Sequence, residues 1–398
     1  LVGGRFNGPP PHLGTLVERT ELSGGVVHYA WEVPVGTGPY DLIRLHRVVR
    51  ETSSPSGRPV PKMEGVMLLP GAPQLFEAIF LPPASPSVSA DEGSVALYLA
   101  SREVDVWGMD YGWTAVPYGS PDAGFLDGWG IAKDTRHVEA ALTLARWMRS
   151  ISGQGAGPIH VLGFSYGGFL VFAVAGEDSQ RPGNLRNVKG IIPVDGTVFA
   201  GAPGSAGKSN ACDALPAIQA NLAAGVHVTD ASAFFRLGQA ALDAPDETSV
   251  FFPPFTNYQA PLFYLVNIGF LGGSYTTAPP SVDLFFTYGP RVVDLLAGTP
   301  PYIPYQWEFD SRAARCGSEA YPVTFDDHLG DSTVPILFIA RGTAGSYTTT
   351  ITGSSDVTQL IINPTFDPSL YGHADFFLAD DAADVVWQPI LEWVWAHE

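Results

Sequence analysis

The sequence predicts an α/β protein: a mostly parallel central sheet with helices on both faces, and a large insertion after the strand that ends at Asp195. Three observations carry that reading. Short apolar runs alternate with helical segments over both ends of the chain, the pattern of strands joined through crossover helices. The later runs are apolar throughout rather than every second residue, as expected of strands buried on both faces. The length of 398 residues, 45% of them hydrophobic, suits one large core with an addition to it.

Residues 1–20, with Gly3-Gly4 and Pro9-Pro10-Pro11, read as an extended arm. Gly25–Pro34 and Asp41–Val49 are rich in β-formers and are separated by Gly36-Thr37-Gly38-Pro39, so they predict an antiparallel pair at a mixed sheet edge. Ser53–Gly57 reads as a loop. Gly65–Leu69 is a buried strand closed by Pro70-Gly71-Ala72. A helical pattern at Ser94–Ser101 precedes the strand Val104–Asp110. Asp134–Ser150 predicts a helix with Val138, Leu142, Ala145 and Met148 on one face. The strand Ile159–Leu162 runs through a sharp turn into an apolar helix at Phe169–Ala175. Strands at Val188–Asp195, Thr333–Ala340 and Val357–Ile362, and a helix near Val385–Trp395, complete the alternation. The core is therefore assigned to residues 21–196 and 331–398.

About 135 residues between Asp195 and Thr333 break the pattern, too many for a plain loop. They hold Phe234-Phe235, Phe251–Phe255, Tyr258, Phe263–Phe270 and Phe285-Phe286. Residues 197–330 are expected to form a cap that lines an apolar pocket over the sheet.

The chemistry is expected at Gly163-Phe164-Ser165-Tyr166-Gly167, a G-x-S-x-G pattern in strand–turn–helix context. Glycines two before and two after the serine remove Cβ atoms that would clash in so tight a turn, and the serine is left at the strand's C-terminal end. Ligands of such sheets bind beyond that edge, which sorts the remaining candidates. Among nine histidines, His160 and His328 precede strands and fall at the wrong edge. His12 lies in the arm, His227 in the insertion and His397 at the terminus; His28 and His46 lie in early strands, and His137 on a helix. His373, in Tyr371-Gly372-His373-Ala374-Asp375-Phe376, follows the last strand and opens on the serine's edge, where an imidazole can act as general base. For the acid, Asp195 ends its strand on that edge and is preferred to Asp356, which precedes a strand. Asp375 follows the histidine too closely to orient it and reads as a cap or a local salt-bridge partner. Asp110 ends a strand in a loop-fixing position. Oxyanion donors are expected from the Tyr166 and Ala72 N–H groups.

A net charge of −19 with 21 Lys and Arg argues against nucleic-acid binding and against an electrostatic hold on anionic membranes. No apolar run reaches the roughly 18 residues of a membrane-spanning helix. Cys212 and Cys316 form no C-x-x-C pair, so a cysteine zinc site is not expected. In an exported chain they would pair and in a cytosolic one stay buried thiols; the pair is preferred. The chain starts at Leu1, which fits removal of an upstream secretion signal and a secreted or periplasmic location.

The order Ser165 then His373, with Pro70-Gly71-Ala72 ahead of them, resembles the α/β-hydrolase superfamily over residues 20–195 and 333–398. Tyr371–Phe376 is similar to the histidine loop of acid lipases, and Val104-Asp105-Val106-Trp107 to the strand those lipases place before the elbow unit. Gly163–Gly168 is also similar to the elbow of prolyl-oligopeptidase-type peptidases, although no propeller precedes it. Pro70-Gly71 stands where the family usually has His-Gly. The position after Ala340, where the family commonly carries its acid, reads Arg341-Gly342-Thr343 and holds no carboxylate. Ser165 argues against haloalkane dehalogenases and epoxide hydrolases, which carry Asp at the elbow. The resemblance implies a serine esterase or lipase acting on small-molecule apolar esters through Ser165, His373 and Asp195, with no metal or organic cofactor. A peptidase or amidase, an acyltransferase and a non-catalytic binding protein on the same fold are the competing expectations.

Overall fold

The computed structural model describes residues 14–52, 57–61, 63–120, 123–199, 201–202 and 204–398. The expected loop at Ser53–Gly57 lies largely outside the described residues, as does most of the arm. The arm's described part is a strand, β1 (Thr15–Glu21), on the sheet edge. It is followed by β2 (Val26–Pro34), β3 (Leu42–Arg50), β4 (Glu64–Leu69), β5 (Val104–Asp110), β6 (Ile159–Phe164) and β7 (Val188–Val194). The segment after β7 holds two short antiparallel pairs, β8 (Val228–Asp230) with β11 (Tyr302–Pro304) and β9 (Gly273–Thr277) with β10 (Pro280–Leu284). β12 (Ile336–Arg341) and β13 (Val357–Asn363) return to the sheet.

The nine-stranded sheet runs β1-β2-β3-β5-β4-β6-β7-β12-β13. From β5 to β13 every neighbouring pair is parallel. β1, β2 and β3 form the antiparallel edge, and β3 joins β5 antiparallel. Side chains on the central strands alternate between two apolar cores. Leu68, Leu162, Phe164, Ile192, Val194 and Ile339 face one core; Met67, Leu69, Val161, Ile191 and Phe338 face the other. Both faces are buried, so these strands carry apolar residues on both. The helices Ile131–Ile151 and Tyr166–Ser179 cover the second face; Val95–Ser101 and Gln388–Ala396 cover the first.

Between β7 and β12 the chain forms helices at Ala206–Ala223, Ser232–Asp243, Gln259–Asn267, Gly289–Ala297 and Tyr305–Cys316. Cys212 and Cys316 are disulfide-bonded and join the first of these helices to the last. No helix among the described residues is long and apolar enough to cross a membrane.

Candidate active site

The parallel strands end on one edge, and the candidates collect there. Ser165 follows β6 directly and heads the helix Tyr166–Ser179 with φ 54° and ψ −111°, a left-handed backbone that costs a non-glycine residue about 1–3 kcal/mol. The turn is held by close backbone approaches. A Cβ on Gly163 would lie 2.0 Å from the Gly167 carbonyl oxygen, and one on Gly196 would lie 2.0 Å from that of Ser165. Each must therefore be glycine. The ladder continues past the strand ends: Ser165 N–H donates to the Val194 carbonyl (2.9 Å) and Asp195 N–H to that of Ile339 (2.8 Å). This fixes the serine and the aspartate on adjacent strands.

Asp195 follows β7 with φ 45°. His373 Nδ1 lies 2.5 Å from its Oδ2; an ionised carboxylate only accepts, so Nδ1 is the protonated nitrogen and Nε2 keeps its lone pair. Arg341, the residue at the end of β12, donates Nε to the same Oδ2 (2.7 Å) and its backbone N–H to Oδ1 (3.0 Å). Burial works to raise the Asp195 pKa, but the His373 hydrogen bond and charge and the Arg341 charge outweigh it and hold the carboxyl below its ordinary value. The position that the resemblance reserves for an acid thus carries the cation that fixes Asp195 on the neighbouring strand. This role was not legible in the sequence, where Arg341 registered only as a missing carboxylate.

The His373 ring packs between Phe164 and Phe270, with centroids 4.6 and 5.1 Å away. Its loop is anchored by Asp375, which accepts from the Gly372 N–H (2.7 Å), the Gly272 N–H (2.6 Å) and the Thr287 hydroxyl (2.6 Å). Burial pushes the Asp375 carboxyl up to about 6 against those three donors. It is a brace between the histidine loop and the segment after β7, broader than the local cap expected. Asp356 is not brought to His373. It is exposed on the opposite edge, 3.1 Å from His397 Nε2.

Pro70-Gly71-Ala72 lies against the serine: a Cβ on Gly71 would meet Ser165 Cβ at 2.9 Å and Gln74 Oε1 at 2.8 Å. The Tyr111 hydroxyl donates to the Pro70 carbonyl (2.9 Å), and Gln74 N–H to that of Gly71 (2.8 Å). Tyr166 opens its helix, where N–H groups have no intrahelical partner. Its hydroxyl donates to the buried Asp134 (2.6 Å), which also accepts from Trp113 Nε1 (3.1 Å) and Trp129 Nε1 (3.0 Å). Burial raises Asp134 to about 6. Asp110 accepts from the Phe76 N–H (2.7 Å) and so fixes the loop after β4, as its strand-end position predicts.

Beside Ala72 and Pro73 lies an apolar cavity of about 140 Å³, closed by Phe234, Leu265, Phe270 and Leu296 from the segment after β7. A larger cleft of about 800 Å³ sits between Arg19, Val27 and Arg50 on the β1–β3 edge. It contains none of the groups above; among the cavities lined by described residues, the small one lies beside the site.

No family model and no curated protein matches the chain. Among solved structures, a putative lipase from Sulfolobus solfataricus is 19% identical with a TM-score of 0.67, over 96% of this chain and 99% of that one. A soluble variant of monoglyceride lipase from Saccharomyces cerevisiae is 12% identical with a TM-score of 0.47, over 99% and 98%. The first of these likenesses, with the sheet order, gives the chain the α/β-hydrolase fold. At such identity it speaks for the fold alone.

Proposed function

We propose that this chain is a serine hydrolase of carboxylic esters, with Ser165 as nucleophile, His373 as general base and Asp195 as the acid. The observation that carries the reading is the half-buried His373–Asp195 contact of 2.5 Å, on the strand next to a strained Ser165. The Ser165 hydroxyl adds to the ester carbonyl while His373 Nε2 takes its proton; Asp195 holds Nδ1–H and stabilises the imidazolium. The N–H groups of Tyr166 and Ala72 receive the oxyanion. The imidazolium then protonates the departing alcohol, and the same histidine activates the water that hydrolyses the acyl-enzyme. Neither half needs a metal or an organic cofactor.

In this reading residues 197–330 act as the cap, and the cavity beside Ala72 takes the acyl group. At about 140 Å³ it falls below the roughly 300–1,000 Å³ of drug-sized ligand sites, which favours short acyl chains. The disulfide fits an oxidising compartment, and we place the protein outside the cytosol on that basis.

The test is hydrolysis of p-nitrophenyl esters from acetate to palmitate. Short chains should be cleaved best, and Ser165→Ala should lower kcat by about 10⁶-fold. A folded wild-type protein inactive on every ester, or a Ser165→Ala variant that keeps the wild-type rate, would defeat the proposal. Activity on aryl amides exceeding that on esters would turn it toward an amidase.

A further inference from the structure

Away from the catalytic edge, two imidazoles are buried edge to edge in the antiparallel part of the sheet. His28 on β2 and His46 on β3 are 2% and 0% exposed, with His28 Nε2 and His46 Nδ1 3.0 Å apart. The far nitrogen of each ring faces a carboxylate. His46 Nε2 lies 3.2 Å from Asp110 Oδ2, and His28 Nδ1 lies 3.4 Å from Glu18 Oε1. An ionised carboxylate only accepts, so the Asp110 contact places the His46 N–H on its far side and leaves Nδ1 as an acceptor. When His28 likewise turns its N–H toward Glu18, the two near nitrogens both present lone pairs and can share a cation. A third donor is at hand: Glu77 Oε1 is 3.8 Å from His46 Nδ1, is buried, and accepts no hydrogen bond among the described residues. It lies 3.2 Å from Arg44 Nη2, outside hydrogen-bond geometry.

We propose that His28 Nε2, His46 Nδ1 and Glu77 bind a divalent transition-metal ion, best Zn²⁺, with water in the fourth position. The three donor atoms lie within 4.8 Å of one another. Tetrahedral zinc with bonds near 2.1 Å sets its ligands about 3.4 Å apart, between the 3.0 and 3.8 Å seen here. Two imidazoles and a carboxylate suit zinc, and carboxylates on the far imidazole nitrogens are its usual outer support. The local charge agrees. Glu18, Glu77 and Asp110 carry three negative charges and Arg44, 2.7 Å from Glu18 Oε2 and 3.2 Å from Glu77 Oε1, carries one positive, so two remain for a dication to neutralise. Phe76 stacks on His46 with a centroid separation of 4.5 Å and holds the ring still. Glu77 and Arg44 also line a cleft of about 340 Å³ that gives the ion a way in. Cysteine spacing predicts no metal site, but the donors here are not cysteines.

The ion would tie β2 and β3 to the helix Phe76–Phe80, which directly follows the Pro70–Gln74 loop; its role is to brace that loop rather than to take part in the reaction. The test uses full-length protein stripped with EDTA and desalted, then titrated with ZnCl₂ by calorimetry and with CoCl₂ by visible absorption. One ion per chain is expected, with a melting temperature raised by about 3 °C at a hundredfold excess over Kd. Glu77→Gln, which alters a half-exposed side chain, should weaken binding at least about 10-fold, and His46→Gln should abolish it and the cobalt bands. Wild type that takes up no zinc at 100-fold molar excess overturns the proposal. So does binding that persists undiminished in folded His46→Gln, which would place the ion at surface histidines. Should His46→Gln not fold, unchanged affinity in Glu77→Gln overturns it alone.

Discussion

Replacing Asp195 with asparagine tests the acid assignment at its weakest joint. In the native arrangement three donors converge on two oxygens: His373 Nδ1 and Arg341 Nε on Oδ2, and the Arg341 N–H on Oδ1. A carboxamide fills the same space with one acceptor and one donor. With its oxygen at the Oδ2 place, its NH₂ meets the Arg341 N–H, donor against donor. With its oxygen at the Oδ1 place, its NH₂ meets Arg341 Nε and His373 Nδ1. The imidazole can escape only by moving its proton to Nε2, which removes the lone pair that Ser165 needs. Both orientations also lose the charge that stabilises the imidazolium. The expected cost is about 10⁴-fold in kcat/KM, or about 5 kcal/mol of transition-state stabilisation. The assay is p-nitrophenyl acetate hydrolysis with circular dichroism as a control on folding. Asp356→Asn, an exposed substitution beside the half-buried His397 on the far edge, should stay within about twofold of wild type. A folded Asp195→Asn retaining a tenth of the activity, or an Asp356→Asn that collapses, would refute the assignment.

Two further outcomes follow from the same geometry. Arg341→Met strips from buried Asp195 a partner that keeps its pKa depressed. A depressed carboxylate contributes stability above its unfolded pKa and loses it as pH falls through the folded one, so the variant should be less stable at pH 7 by about 3 kcal/mol. Its acid unfolding, followed by urea titration from pH 7 to 3, should begin at higher pH than in wild type; coincident profiles would show that Arg341 does not hold the acid. Gly71→Ala drives a methyl to within 2.9 Å of Ser165 Cβ and 2.8 Å of Gln74 Oε1. It should cost about 10²-fold in kcat with little change in melting temperature, and wild-type kinetics would remove this loop from the site.

Much of the core was legible because its physics is local. β4, β5, β6 and β7 are buried on both faces, and each is an apolar run with a clear end. The elbow and the histidine loop stood out because a tight turn demands glycines and because only one histidine lies between the last strand and the last helix. β1 was hidden: its residues are almost all exposed, so no hydrophobic pattern marks an edge strand that only pairing defines. The helix after Ser165 begins three residues earlier than the apolar run implies. Gly167 and Gly168 are poor helix formers, kept by the close approach of Leu69 and Gly196 to their backbones. Arg341, Asp134 and the His28–His46 pair escaped for a shared reason: each acts through partners distant in the chain, and a polar residue in a sequence does not announce what it will be buried against.

Asp375 has a mechanical consequence. One carboxylate clasps the backbone of Gly372, next to His373, together with Gly272 and Thr287 of the inserted segment, and Phe270 rests on the His373 ring. A swing of that part of the insertion would drag the imidazole off its aspartate. The other end is pinned as well, by the edge-on contact of Trp307 with Tyr166 at 5.2 Å. Under the proposed function the segment acts as a fixed roof riveted to the residues beneath it, not a hinged door. Entry would then depend on rings such as Phe234 turning at the eaves, and the proposed hydrolysis would need no interface to open the site.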